Sequence, residues 1–275
     1  MITHFLSALT LAATLAAFPN AGQASSDSLD LDDIAKVDIL PGWRTKSGRH
    51  MAAVRIRLAS GWKTYWRAPG DAGIPPRFDW AGSDNLAAVE FHWPTPTVFR
   101  DNGTRVIGYK NEVIIPLELT PANAGKEMIA LRGQMELGVC EEICVPIQVD
   151  LKANLSNTGS KNADIQASLT NRPVVASGAG VKSVTCQVDP ISDGLRLTAH
   201  IAIPKTGGDE VAVVEFADQN VWMSQAVTKR EGQYLIATTE MVPPSAAPFM
   251  LNRSDIRITI LGENLAVDIS GCPAS

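Results

Sequence analysis

The chain has 275 residues, 45% of them hydrophobic, and carries a net charge of −5 at pH 7. Its Lys and Arg residues are scattered, which argues against the basic face that nucleic-acid binding requires, so no nucleic-acid partner is expected. Beyond the amino terminus no stretch reaches the roughly 18 consecutive apolar residues of a membrane span, so the exported chain is expected not to span a membrane. A chain of this length is expected to form two domains.

The amino-terminal segment has the pattern of a secretory signal. Residues 5–18 form an apolar run that is too short for a stable membrane helix, and residues 22–24 supply the small side chains that a signal peptidase accepts. No Lys or Arg precedes the run. We predict a signal peptide at residues 1–24. The four cysteines all follow it, as expected for export to an oxidising compartment.

Three segments of the first half alternate apolar and polar residues with a period of two, which is typical of half-buried strands. Their apolar positions are Val54, Ile56 and Leu58; Val113, Ile115, Leu117 and Leu119; and Ile129, Leu131, Met135 and Leu137. Pro116 lies inside the second segment, which predicts an edge strand or a bulge there. These strands predict a first β-domain at residues 25–155.

Residues 156–180 are polar and small, which predicts a linker, and a short helix is expected within it at residues 163–169. Alternation resumes in three later segments, 194–204, 255–262 and 264–270. Short strands separated by turn residues indicate a β-sandwich at residues 181–275. The predicted fold class is therefore all-β, with two sandwich domains.

Cys186 and Cys272 stand at the two ends of this second domain. A bond between them would tie its first strand to its last, and the chain-entropy estimate for such a loop is about 4 to 5 kcal/mol. We expect a structural disulfide, with two free thiols as the main alternative.

Cys140 and Cys144 are only four positions apart. An extended strand would separate them by about 13 Å, whereas a disulfide needs Cα atoms within roughly 4.4 to 6.8 Å, so the chain must turn across residues 141–143 if they are bonded. So small a ring stabilises by only about 2 kcal/mol, while adjacent thiols suit reversible exchange. Glu141 and Glu142 disfavour a thiolate, and no basic residue is adjacent in sequence. A redox pair, a plain local disulfide and a metal clip all remain open.

Four motifs resemble, in this order, the amino-terminal periplasmic domain of the DsbD thiol-disulfide reductases. They are GWKTYWRAPGDAGIPPRFDW (61–80), WPTPTVF (93–99), GYKNEVIIPLEL (108–119) and CEEICVP (140–146). The cysteine spacing is similar to that of the ScsB-like branch, which is associated with copper tolerance. The likeness covers residues 43–151 well and the second half more loosely.

The resemblance implies an immunoglobulin-like fold for the first domain, and we extend that fold to the second. It also implies a periplasmic protein that takes electrons from a membrane-embedded donor and passes them, without a cofactor, to oxidised thioredoxin-like proteins. Cys144 corresponds to the attacking thiol and Cys140 to the resolving thiol. Phe99 is the candidate for an aromatic cap over them. Tyr65 and Tyr109 are candidates for lining the same site, although aromatic residues at such positions are more often ordinary core.

Reductases of this family continue into a membrane domain and a thioredoxin-like domain, and this sequence contains neither. A separate membrane protein is therefore expected to supply the electrons. No hydrolase arrangement, zinc spacing or phosphate loop is present in the sequence.

Two other hypotheses use the same cysteines. A copper-binding protein could hold Cu(I) with the cysteines and further ligands drawn from His92, His50, Met135 and Met128. The chain lacks the alternating strand and helix pattern of a thioredoxin-like scaffold, which weakens that hypothesis. The other is a non-catalytic interaction module in which both cysteine pairs stay oxidised.

Overall fold

The computed structural model describes residues 31–101, 103–126, 128–246 and 249–274. The predicted signal peptide lies outside these residues. In the part of the chain that is described, no helix has both the length and the apolar character needed to cross a membrane.

The elements of the first half follow one another in this order: α1 Leu31–Ile34, β1 Ala35–Arg44, β2 His50–Leu58, β3 Lys63–Gly70, β4 Arg77–Asp79, β5 Ala88–Phe91, β6 Thr97–Asp101, β7 Thr104–Lys110, β8 Glu112–Thr120, β9 Met128–Cys140, β10 Cys144–Ser156 and α2 Ala163–Thr170.

Two antiparallel sheets form the first sandwich. One has the strand order β1-β2-β8-β5, and the other has the order β10-β9-β3-β7-β6 with β4 paired to β9. Their facing sides share one core, in which Ile56 and Leu117 from the first sheet and Trp66 and Leu137 from the second are fully buried. The predicted strands are present, because alternate residues of each reach this core.

Helix α2 packs on the outer face of the first sheet. Its Ile165 is buried in a small cluster with Leu40, Met51 and Ala53, and the Ser168 hydroxyl donates a hydrogen bond to the Ile114 carbonyl at 2.5 Å. The predicted helix is confirmed. The expectation that β2 is half-buried is wrong for residues 50–54, because the helix covers the face that the pattern leaves to solvent.

Pro116 lies neither on an edge strand nor at a bulge in the pairing with β2, contrary to the expectation. Its strand β8 is paired with β2 on one side and β5 on the other. The ladder with β5 ends at Leu117, and the Pro116 carbonyl accepts a hydrogen bond from the His92 N–H on that side. The proline is tolerated because its missing N–H faces the place where the neighbouring strand has ended.

The second half contains β11 Val174–Val175, β12 Ser183–Pro190, β13 Leu195–Ala202, β14 Val211–Phe216, β15 Trp222–Met223, β16 Val227–Glu231, β17 Tyr234–Val242, β18 Ile256–Leu261 and β19 Ala266–Ser270. One sheet has the order β11-β19-β18-β14 and the other β12-β13-β17-β15, with β16 paired to β17. Together the two halves give the predicted all-β, immunoglobulin-like fold.

Cys186 and Cys272 form a disulfide in the core of the second sandwich, where each is 1% exposed. The bond joins β12 to the segment that follows β19. The backbone supports the same junction, since the Cys186 N–H donates to the Pro273 carbonyl at 2.7 Å.

The two sandwiches are in direct contact through Arg67 of β3. Its guanidinium donates to both carboxylate oxygens of Glu215 at 2.9 and 2.8 Å and to the Thr259 hydroxyl at 3.1 Å. The same group lies 3.9 Å from the ring centroid of Trp66. Because this bidentate pair is mostly shielded from solvent and is stacked on an aromatic ring, it fixes the orientation of both partners.

Candidate functional site

Cys140 and Cys144 close a hairpin. Cys140 ends β9, Cys144 begins β10, and residues 141–143 form the turn between them. The two residues are direct partners in the ladder, with Cα atoms 4.1 Å apart, and their sulfurs are bonded to each other. Cys140 is only 5% exposed, whereas Cys144 is exposed.

The cysteines lie on the outer face of the second sheet of the first sandwich, away from the core. Across that sheet Lys110 pairs with Lys63, Lys63 with Cys140, and Cys140 with Cys144. Opposite residues in a ladder share a face, and so do residues two apart on one strand. The same face therefore carries Tyr65, two residues beyond Lys63.

Tyr65 is the residue in closest polar contact with the exposed cysteine. Its hydroxyl oxygen lies 3.0 Å from the Cys144 Sγ, and the whole residue is 2% exposed. Burial raises the pKa of the Tyr65 phenol, so the hydroxyl keeps its proton at neutral pH. It is consequently a hydrogen-bond donor that points at the sulfur.

Small residues make room for the Tyr65 ring. A Cβ on Gly138 of β9 would lie 2.9 Å from Tyr65 Cε2 and 2.7 Å from Ile74 Cβ. The Gly138 N–H donates to the Ile74 carbonyl at 3.2 Å, which holds residues 71–76 over the ring. A glycine inside a strand, two positions before a cysteine, was the available signal of a close approach.

Phe99 completes a cover over Cys140, which consists of Tyr65 with the loop of residues 71–76 on one side and Phe99 with Val106 on the other. Phe99 lies on β6 opposite Val106 of β7, and it packs against a small cluster formed by Tyr65, Val106 and Cys140. The Lys110 Nζ lies 4.9 Å from the centroid of the Phe99 ring, within range of a cation–π interaction. The structure thus brings Phe99 and Tyr65 together with both cysteines.

Tyr109 lies elsewhere, and the expectation that it lines this site is not met. It belongs to the main core of the first sandwich, and its hydroxyl donates to the Pro94 carbonyl at 2.8 Å. Burial raises its pKa well above the ordinary value. The reason is the two-residue period of β7, which turns Tyr109 to the face opposite Gly108 and Lys110.

Charges of opposite sign flank the sulfurs. Glu141 and Glu142 are exposed in the turn, as the sequence indicates. Lys63 lies beside Cys140 in the ladder, and Lys110 lies beside Lys63. These lysines could not be predicted as site residues, because strand register, not sequence proximity, makes them neighbours of the cysteine.

The residues considered as further copper ligands do not gather at the cysteines. Met135 is fully buried in the core, and Met128 begins β9 at the end opposite Cys140. His50 is buried on the other sheet, with its Nε2 2.6 Å from the Pro41 carbonyl oxygen.

His92 lies in a separate polar group. Among the described residues, the donor atoms close enough to share a metal ion belong to Glu90, His92 and Glu118, with no cysteine among them. Arg49 lies 3.6 Å from Glu90 and 3.3 Å from Glu118, and Arg172 lies 2.9 Å from the His92 Nδ1. The two guanidinium groups would repel a bound cation. They also pair with the same carboxylate and imidazole side chains that would otherwise bind it, so the group forms an ion-pair network.

Comparison with known proteins finds similar domains. Residues 34–156 match the family described as "Thiol:disulfide interchange protein DsbD, N-terminal". No curated protein gives a significant match. The N-terminal periplasmic domain of ScsB from Proteus mirabilis is 21% identical, with a TM-score of 0.62, and the match covers 88% of this chain and 92% of that one.

A second solved structure is the reduced DsbD N-terminal domain of Neisseria meningitidis. It is 20% identical with a TM-score of 0.29, and the match covers 47% of this chain and 92% of that one. The ScsB domain shares the fold across both sandwiches, and the family match spans the sandwich that carries Cys140 and Cys144. Residues 34–156 of this chain therefore match the DsbD-type N-terminal domain, within a two-sandwich fold like that of the ScsB periplasmic domain.

Proposed function

We propose that the chain is a periplasmic thiol-disulfide exchange protein that cycles Cys140 and Cys144 between disulfide and dithiol. The observation that carries this proposal is their unequal exposure, since Cys144 is exposed and Cys140 is 5% exposed. Exchange needs one sulfur that a partner can reach and a second, adjacent sulfur that resolves the adduct. Cys144 is accordingly the attacking thiol and Cys140 the resolving thiol.

The reduced pair transfers two electrons in two displacement steps. The Cys144 thiolate attacks a client disulfide, a bond forms between Cys144 and one client sulfur, and the other client sulfur leaves as a thiolate. The Cys140 thiolate then attacks the Cys144 Sγ and displaces the remaining client sulfur. The two protons of the dithiol end on the client thiols, and the Cys140–Cys144 disulfide re-forms. A membrane-embedded donor returns two electrons, two protons are taken up with them, and the dithiol is restored.

Tyr65 assists the first displacement from its position beside Cys144. A hydroxyl that keeps its proton and lies 3.0 Å from the Sγ donates a hydrogen bond to a thiolate formed there. Hydrogen bonds to a charged acceptor are stronger than those to a neutral one, so this contact favours the thiolate over the thiol. Tyr65 therefore raises the fraction of Cys144 that is ready to attack.

The surface around Cys144 supports a protein client. Ile143, next to Cys144 in the turn, is 75% exposed, which suits a partner with apolar surface beside its own disulfide. Glu141 and Glu142 favour basic groups nearby on that partner. We propose oxidised thioredoxin-like proteins as the clients.

The remaining parts of the chain have supporting roles in this proposal. Residues 1–24 are a signal peptide that directs export to the periplasm. Residues 25–155 are the exchange domain, residues 156–180 the linker, and residues 181–275 a second domain. The Cys186–Cys272 bond in that domain is structural and takes no part in exchange, because both of its cysteines are buried.

Trapping tests the proposal directly. A full-length Cys140→Ala variant retains the attacking thiol but cannot resolve an adduct, so it should accumulate mixed disulfides with periplasmic proteins in cells. Cys144→Ala is the matched control, because it leaves only the buried thiol. Adducts that require Cys144 and disappear on reduction support the proposal. If the two variants give the same pattern, or if neither gives adducts, the proposal is wrong.

A further inference from the structure

We propose that Arg105 is a positioning residue through which the second sandwich holds the cover over Cys140, so that partners reach Cys144 alone. This inference deepens the proposed function and rests on it for its biological meaning. Arg105 is the second residue of β7, and its Nη2 donates to the Gln225 Oε1 at 2.9 Å and to the Ala226 carbonyl at 3.4 Å. Both acceptors belong to the second sandwich, between β15 and β16.

The backbone of Arg105 holds the first part of the cover. Its N–H donates to the Asp71 carboxylate at 2.6 Å, and its carbonyl accepts from the Asp71 N–H at 2.8 Å. Asp71 begins the loop of residues 71–76, whose Ile74 is hydrogen-bonded to Gly138 beside the Tyr65 ring. Displacement of Arg105 would therefore move the loop that covers Tyr65.

The strand that contains Arg105 holds the second part of the cover. The next residue, Val106, contacts the cysteine cluster and pairs with Phe99 of β6. Arg105 itself pairs with Arg100, whose side chain lies 3.7 Å from Asp209 of the second sandwich. Alternation places these two arginines on one side of the β6–β7 pair and the cysteine cluster on the other. The β6–β7 pair is thus held from behind by the second sandwich.

The environment of Arg105 indicates more than a chance surface contact. Its Nε is buried without a hydrogen-bond partner, and burial lowers the pKa of the guanidinium. Removing a guanidinium from water costs free energy, and the two neutral acceptors and the nearby Asp71 carboxylate offset that cost only in part, since the pKa is still lowered. A contact of this kind is kept where a defined position matters.

The test measures access to Cys140 without any partner protein. In a full-length Cys144→Ala background, Cys140 has lost its partner and is a free thiol. It is the one that reacts with the reagent, because Cys186 and Cys272 are bonded to each other. The measured quantity is the rate constant of its alkylation by iodoacetamide over a range of pH. Adding Arg105→Met should raise this rate constant about tenfold at every pH, because a charge-assisted hydrogen bond that holds the cover is lost. A change in thiol pKa would instead shift the midpoint of the profile.

Three further variants sharpen the result. Arg105→Lys keeps a donor within reach of the same acceptors and should restore the slow rate, whereas a merely structural role for the arginine would not give this rescue. Gln225→Leu removes an acceptor from the other side and should also accelerate alkylation. Arg57→Met, which breaks an exposed ion pair with Asp38 on the other sheet of the first sandwich, should leave the rate unchanged. The inference is overturned if Cys140 in both Arg105→Met and Gln225→Leu is alkylated at the same rate as in the Cys144→Ala protein. It is also overturned if all variants, including the control, raise the rate equally.

The outcome is separable from that of the proposed function. Alkylation reports only how the cover is held, while trapping reports only whether Cys144 exchanges with proteins. Accelerated alkylation without trapped adducts would keep the role of Arg105 and reject the exchange function. Trapped adducts with unchanged alkylation would keep the exchange function and reject the role of Arg105.

Discussion

The Tyr65 hydroxyl lies 3.0 Å from the Cys144 Sγ, across the face of the sheet that also buries Cys140. Residues 79 positions apart thus share one hydrogen-bonding site. This contact links a buried aromatic residue to the exposed sulfur, and the first prediction follows from it.

Replacing Tyr65 by Phe should weaken Cys144 as a nucleophile. Loss of a hydrogen bond to the thiolate is expected to raise the apparent pKa of Cys144 by about one unit and to slow alkylation near neutral pH by roughly tenfold. The measurement is the pH profile of Cys144 alkylation in a Cys140→Ala background. Tyr109→Phe is the control, since its hydroxyl serves the Pro94 carbonyl in the core and should leave the profile unchanged. An unaltered profile in Tyr65→Phe would remove the tyrosine from the mechanism.

Gly138→Ala should disturb the cover without altering either cysteine. The added Cβ would lie 2.7 Å from Ile74 Cβ and 2.9 Å from the Tyr65 ring, so one of them must move. Overpacking of this kind costs about 1–3 kcal/mol, measurable by urea unfolding, and Cys140 should become more accessible to alkylation. Gly82→Ala is the matched control, because its nearest neighbour would be at 3.4 Å. Equal stability of the two variants would contradict this account.

The second sandwich should lose stability without its disulfide. A Cys186→Ala/Cys272→Ala variant is expected to be less stable by about 4 kcal/mol, since the bond closes a long loop of the unfolded chain and its sulfurs are buried. Urea unfolding measures the change. Because the proposed exchange pair lies in the other sandwich, trapping through Cys144 should persist wherever the variant is folded. Loss of trapping from folded protein would show that this bond has more than a structural role.

Acid should destabilise the protein through His50. Burial lowers the pKa of His50 below its ordinary value of 6.5, its Nε2 is already bonded to the Pro41 carbonyl, and its Nδ1 is buried without a partner. The unfolded chain therefore takes up this proton first as the pH falls. The free energy of unfolding should decrease below about pH 6.5 and stop decreasing once the folded His50 is protonated as well.

The comparison is between the wild-type chain and His50→Gln, in which an amide donor replaces the imidazole. The variant should lose the part of the acid sensitivity that lies just below pH 6.5 and should keep the carboxylate-dependent part at lower pH. Identical stability profiles in both proteins would assign the acid sensitivity to other groups.

The sequence predicted those features that depend on local pattern. The alternation in β2, β8 and β9 gave the strands, and the polar segment around residue 163 gave α2. The cysteine spacing required a turn across residues 141–143, and the structure has one. Each of these follows from residues that are close together in the chain.

Features that depend on the register of strand pairing could not be predicted from the sequence. Tyr65 and Tyr109 were equivalent candidates, and only the pairing of β3 with β7 puts the first beside the cysteines and the second in the core. The same pairing brings Lys63 and Lys110 to the site. The role of Arg105 could not be predicted, because its partners belong to the other sandwich and no local pattern encodes that contact.

The hairpin that ends in the cysteines also bears on how much the protein would rearrange during the proposed redox cycle. Thirteen residue pairs hold β9 and β10 together, from Cys140 and Cys144 at one end to Met128 and Ser156 at the other. Breaking the sulfur bond removes a side-chain link at the end of this ladder and no backbone pairing, so we expect the backbone to keep its course in both oxidation states. In the proposed exchange reaction, electron transfer would then change the bonding of two sulfur atoms on a rigid frame, with little reorganisation of the chain.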